Sequence, residues 1–83
     1  MPKNSFSFHR RKQLEVILGV GRSTVYNMLA DGVLTPPVNI GLRSVGWPSY
    51  EIDEILAARI AGKPVDEIKT LVSKLVAARQ LAA

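Results

Sequence analysis

Two apolar stripes of helical spacing, separated by a glycine-flanked break, constrain this chain more than any other feature. Leu14, Ile17 and Leu18 stand at i, i+3 and i+4, and Val25, Met28 and Leu29 repeat that spacing. Residues so placed line one side of an α-helix. Gly19-Val20-Gly21 lies between the two sets. The stretch therefore predicts one helix from about Arg10 to Leu18 and a second from about Arg22 to Asp31. Gly32 follows as the residue that tolerates a left-handed backbone beyond a helix end. Two short helices meeting at a glycine turn, with Leu14, Ile17, Val25 and Leu29 facing each other and Val20 plugging the corner, form the pattern of a helix-turn-helix.

The remainder of the chain reads differently. Pro36 and Pro37 forbid helix. Val38-Asn39-Ile40 and Val45-Gly46-Trp47 read as two short strands around the turn Gly41-Leu42-Arg43-Ser44. Ser49 is a good N-cap for a third helix over about Tyr50–Ala61, whose face is marked by Ile52, Ile55, Leu56, Arg59 and Ile60, and Gly62 ends it. A last helix over 64–82 carries Val65, Ile68, Val72 and Leu75 at alternating spacings of three and four, widened by Leu71 and Val76. That helix has three options: it folds back on the core, pairs with its twin in a homodimer, or holds a protein partner. Arg79 in its stripe argues against a long coiled coil. Residues 1–8 read as a flexible arm, with a short extended piece at Phe6–Phe8. The expected organisation is this arm, a domain over 9–62 and the C-terminal helix over 63–83. The fold class is mainly α, with a small two-stranded β hairpin and an extra C-terminal helix.

Composition narrows the function. Eighty-three residues with 47% hydrophobic content suit one small folded domain. There is no cysteine and the single histidine is His9, so disulfides, thiolate sites and multi-histidine metal sites are excluded. No cofactor is expected. No nucleophile, base and orienting group can be assembled, so an enzyme is not expected. Glu51, Asp53 and Glu54, like Asp66 and Glu67, fall in first helical turns, where the helix dipole and solvent account for them. No apolar run is long enough to span a membrane and no signal core follows the N-terminus, which makes a cytoplasmic location the expectation. Trp47 is assigned to the core.

The net charge is +4, and all of the excess lies in the first half of the chain. Lys3, Arg10, Arg11, Lys12, Arg22 and Arg43 face only Glu15 and Asp31 there, whereas basic and acidic residues cancel from Ser49 onward. A basic half suits a polyanionic partner, and it also suits simple solubility. The second helix adds to the case. Between Glu15 and Asp31 there is no carboxylate, and Arg22, Ser23, Tyr26 and Asn27 stand off its apolar stripe. All four donate hydrogen bonds, as phosphates and an acceptor-rich groove floor require. Arg22 can fork to guanine, Asn27 can pair with adenine, and Ser23 and Tyr26 suit phosphates. An ordinary helical hairpin with a solvated face has the same geometry. Arg10-Arg11-Lys12 opens the first helix and suits phosphate contact, although positive charge there opposes the helix dipole. No aromatic platform for RNA is visible.

The run Gly19-Val20-Gly21-Arg22-Ser23-Thr24-Val25-Tyr26 resembles the G-L-S-R-S-T-I-Y signature of AlpA-type phage regulators, relatives of the MerR and excisionase winged helix-turn-helix proteins. The likeness continues through Asp31-Gly32, Pro36-Pro37-Val38, Ile40-Gly41, Val45-Gly46-Trp47, Glu51-Ile52 and Ala57-Ala58-Arg59, covering roughly residues 8–62. Gly21 departs from the family's serine and Asn27 from its frequent arginine. The resemblance implies a winged-helix binder of double-stranded DNA, serving a prophage or other mobile element as a transcription regulator or as an excisionase that bends DNA for an integrase. It places the second helix, Thr24 included, in the major groove. The hairpin becomes a wing on backbone or minor groove, with Arg43 at its tip and Asn39 and Ser44 assisting. A protein-interaction adaptor using the C-terminal helix is the alternative of another class.

Overall fold

A computed structural model describes residues 7–81 of the chain. The elements run β1 (Phe8–His9), α1 (Arg11–Leu18), α2 (Arg22–Asp31), β2 (Val38–Gly41), β3 (Ser44–Pro48), α3 (Ser49–Ile60) and α4 (Val65–Leu81). The domain is mainly α, a winged helix-turn-helix with a small antiparallel sheet.

Local chemistry explains where the helices stop. Gly19 takes φ 70°, which lets its N–H reach Val16 O at 3.3 Å while Val20 N–H reaches Glu15 O at 3.0 Å. Gly32 does the same with φ 78°, its N–H bonding Leu29 O and Val33 N–H bonding Met28 O. This paired closure satisfies carbonyls that a helix end leaves open, and it turns the next residue inward. Val20 is half-buried and Val33 is buried as a result. Gly62 closes α3 with the same pair of bonds.

The core joins all four helices to the sheet. Leu14 of α1, Val25 and Met28 of α2, Trp47 of β3, Ile52 and Ile55 of α3, and Ile68, Val72 and Leu75 of α4 form one cluster. Val33 and Leu34 complete it from the segment between α2 and β2. Sequence reasoning misses this segment because three buried residues ahead of a proline pair show no period. Two of its backbone carbonyls are tied down from a distance, while the buried Thr35 hydroxyl has no hydrogen-bond partner among the described residues. The Trp47 indole Nε1–H donates to Thr35 O at 2.7 Å, and Arg79 Nη2 donates to Pro36 O at 2.8 Å.

The hairpin expected of the wing is present as β2 and β3, paired Val38↔Gly46, Asn39↔Val45 and Gly41↔Ser44, with an irregularity between Asn39 and Gly41. A third strand extends it. β1 pairs with β3 in the register Phe8↔Pro48 and His9↔Trp47, giving the order β1-β3-β2. Gly46 makes this junction fit. A Cβ there would lie 3.1 Å from Phe8 Cβ and 3.3 Å from both His9 O and Ile40 Cδ1. Of the arm expected over 1–8, residues 1–6 lie outside the described residues, while Ser7 and Phe8 are hydrogen-bonded to the domain.

Four expectations are corrected. Ser49 is not the N-cap of α3; Pro48 occupies that position. Ser49 instead clamps the entering chain, its N–H donating to Ser7 O at 2.7 Å and its Oγ accepting from Ser7 N–H at 3.2 Å. Ile60 is 79% exposed and leaves the α3 core face, because that face ends where the chain turns into α4. Val65 is exposed for the same reason, at the opposite side of the turn. Glu51 is fully buried, so solvent plays no part in its placement.

Glu51 is held by α4. Arg79 Nε donates to Glu51 Oε2 at 2.8 Å and Arg79 Nη2 donates to Oε1 at 2.6 Å. This two-pronged, charge-assisted pair matches the planar fork of arginine to a carboxylate. The hydrogen bond to Glu51 raises the Arg79 pKa above the ordinary guanidinium value, against the opposing effect of burial. With Ile68, Val72 and Leu75 in the core, the pair docks α4 on the domain, with its apolar stripe turned inward.

Candidate nucleic-acid interface

α2 owes its exposed face to its buried one. Val25 and Met28 point into the core. The helical period then turns Arg22, Ser23, Thr24, Tyr26 and Asn27 to solvent, and all five are exposed. Gly21 at the N-cap supplies no side-chain bond, so the first turn of α2 keeps backbone N–H groups directed outward. The Arg22 guanidinium carbon lies 5.8 Å from the centroid of the Tyr26 ring. At that distance the ring face attracts the cation weakly, which favours rotamers that hold the fork beside Tyr26. No carboxylate pairs with Arg22 among the described residues.

The first helix contributes unevenly. Arg11 Nη1 lies 2.5 Å from Glu15 Oε2, one turn along the same helix, so its charge is partly spent inside the protein. Arg10 and Lys12 are exposed, and no ion pair engages them among the described residues. Arg10 sits at the N-cap, where its backbone N–H donates to Gln13 Oε1 at 2.6 Å.

In the hairpin, Arg43 is exposed and takes φ 61°, the left-handed region that an L-residue with a side chain seldom occupies. It stands at the tip with Leu42, which is 94% exposed. Asn39 has an internal duty as well: its Oδ1 accepts from Gly41 N–H at 3.4 Å, across the strand irregularity. Ser44 is half-buried at the base of the turn. Among the described residues no hydrogen bond or ion pair ties the hairpin tip to the face of α2, so the two are separate outcrops of one core. Sequence reasoning overlooks Leu42. The available signal is a hairpin turn reading Gly-Leu-Arg-Ser in place of the usual Asn-Gly or Asp-Gly.

No group of three His, Asp or Glu side chains among the described residues is placed to hold a metal ion. No helix among them is long and apolar enough to cross a membrane.

Two short helices at a glycine turn, a hairpin behind them and a carboxylate-free polar face together define a winged helix-turn-helix protein. The family described as Prophage CP4-57 regulatory protein (AlpA) matches residues 7–60, which contain both the helix pair and the wing. The chain belongs to this AlpA family of phage regulatory proteins. It is also similar to an uncharacterized protein, ORF88, of Enterobacteria phage P4, with 34% identity over 56 residues. That stretch covers 68% of this chain and 64% of the phage protein, so the match spans a little under two thirds of the relative. No solved structure matches the chain.

Proposed function

We propose that this protein is a sequence-specific binder of double-stranded DNA that regulates transcription of a prophage or other mobile element. α2 enters the major groove, and the β2–β3 wing lies against backbone or minor groove. The observation that carries this reading is the exposed face from Arg22 to Asn27, all hydrogen-bond donors and free of carboxylates, on a helix anchored from behind by Val25 and Met28. Membership of a phage regulatory family points the same way. The adaptor reading needs an accessible apolar stripe on α4. Burial of Ile68, Val72 and Leu75 within the chain speaks against it.

A gel-shift titration against DNA flanking the protein's own coding sequence, at two salt concentrations and with random DNA as competitor, tests the proposal. Arg10, Lys12 and Arg43 are three cations off the base-reading positions with no ion-pair partner among the described residues. Three charge neutralisations give a log–log salt slope of about −2.7, hence a roughly fortyfold loss of affinity for a fourfold rise in salt. Binding that persists against competitor supports recognition of sequence. Binding that random DNA abolishes refutes it.

A further inference from the structure

Hairpin tips ordinarily carry Asn, Asp or Gly, which accept left-handed backbone and solvent readily. The tip of this wing breaks that usage twice. Leu42 is 94% exposed, and Arg43 is the one non-glycine residue at positive φ among the described residues. Neither belongs to the core cluster or to the residues packed on it. The tip thus holds an apolar side chain in water and a cation against its backbone preference, with no return in packing. Closing the hairpin calls for a left-handed residue, but nothing within the chain calls for an arginine there or a leucine beside it, and residue choices of that kind mark positions kept for function. The hairpin itself fits a polyanion, since none of its residues from Val38 to Pro48 carries a carboxylate. Ile40 and Val45, 37% and 44% exposed, extend the apolar character down both strands.

Resting on the DNA-binding reading above, we infer that the wing tip enters the minor groove and kinks the duplex there, with Arg43 in the groove and Leu42 wedged against a base step. The minor groove presents acceptors and a concentrated negative potential, which draws in a guanidinium. Its walls are sugar, and its base steps open to an apolar side chain that stays shielded from water once inserted. A wedge on the minor-groove side bends DNA toward the major groove, which closes the duplex around α2. Arg43 supplies attraction and Leu42 supplies the deformation.

The test uses the full chain and duplexes it selects from a random pool. These carry a fluorophore at each end, to read the bend by energy transfer, and 2-aminopurine at successive steps, to read unstacking. Wild type is expected to bend the selected duplex by at least about 20°, the low end for side-chain wedges. It should also brighten 2-aminopurine at one step. Leu42→Ala should lose both signals while affinity falls by less than about tenfold, since the contacts of α2 remain. Leu42→Phe should keep both. Leu42 is outside the core, so the variants should melt with wild type. Selection of duplexes that stay straight and stacked overturns the inference alone, as does a Leu42→Ala complex bent like wild type, and an apolar protein partner becomes the occupant to seek. Failure to select any duplex refutes the DNA-binding reading and the wedge with it.

Discussion

Replacing Arg79 by methionine would remove the cation that reaches the buried Glu51 carboxylate while keeping most of the apolar stem. The wild-type guanidinium makes two bonds to that carboxylate, at 2.6 and 2.8 Å, and a third to Pro36 O at 2.8 Å. Glu51 is fully buried, whereas the Arg79 side chain is 22% exposed. Methionine would leave a carboxylate stranded without its counter-charge. Breaking a buried pair from one side costs about 3–5 kcal/mol. The partial exposure of Arg79 lets some water reach the orphan, which places the expectation near the lower end, about 3 kcal/mol. A domain of 83 residues has only about 4–12 kcal/mol in total. The loss should therefore lower the melting temperature by roughly 12–24 °C. Urea titrations followed by circular dichroism give the stability, and a cycle with Glu51→Gln isolates the pair. Glu51→Gln with Arg79→Met should cost less than the sum of the single changes by at least about 1 kcal/mol, because the double variant has no stranded charge. Arg79→Lys should fall between wild type and methionine, since a point charge cannot make the fork. A methionine variant within about 0.5 kcal/mol of wild type, or a cycle that closes with no coupling, would refute the account of how α4 is docked.

Gly46→Ala should destabilise by about 1–3 kcal/mol in the same urea assay, because the new Cβ meets the His9 backbone carbonyl as well as Phe8; wild-type stability would show that β1 can shift away. Arg43→Asn should leave stability unchanged or raise it by up to about 1 kcal/mol, since asparagine accepts the left-handed backbone more readily. The same variant should flatten the log–log salt dependence of DNA binding by about one unit, and an unchanged slope would remove the wing from the interface. Arg22→Ala should cost about 1–3 kcal/mol of affinity and relax preference at one base pair, whereas equal loss on all sequences would make Arg22 a phosphate contact. Tyr26→Phe should keep the placement of Arg22 and its base preference, and Tyr26→Ala should weaken that preference; identical selectivity in both would leave the ring without a positioning role.

The exposed face of α2 is legible in the amino-acid sequence, because a stripe at Val25, Met28 and Leu29 leaves only one side for Arg22, Ser23, Tyr26 and Asn27. The diversion of Arg11 to Glu15 follows the same spacing rule, at i and i+4, but the run of three basic residues masks it. Leu42 is signalled only by the unusual turn Gly-Leu-Arg-Ser, because an exposed leucine is ordinary until its backbone neighbour is seen at φ 61°. Ser49 misleads for a different reason. Serine ahead of a helical stripe is a capping signal. Here Ser7, just ahead of β1, takes both its Oγ and its N–H.

Features whose causes lie within a few residues of one another are written in the sequence. Apolar spacing and terminal glycines set α1 and α2, and two prolines with a glycine turn set the wing. Features that depend on distant surfaces meeting come from the packing of the whole chain. Packing adds β1 to the sheet because Gly46 leaves room for Phe8, and it buries Val33, Leu34 and Thr35 while Trp47 and Arg79 hold the carbonyls of Thr35 and Pro36. It also selects the inward-folded course for α4 by bringing Arg79 to Glu51 across 28 residues of chain. A charge's partner is a matter of which faces the fold apposes, and no local spacing encodes that.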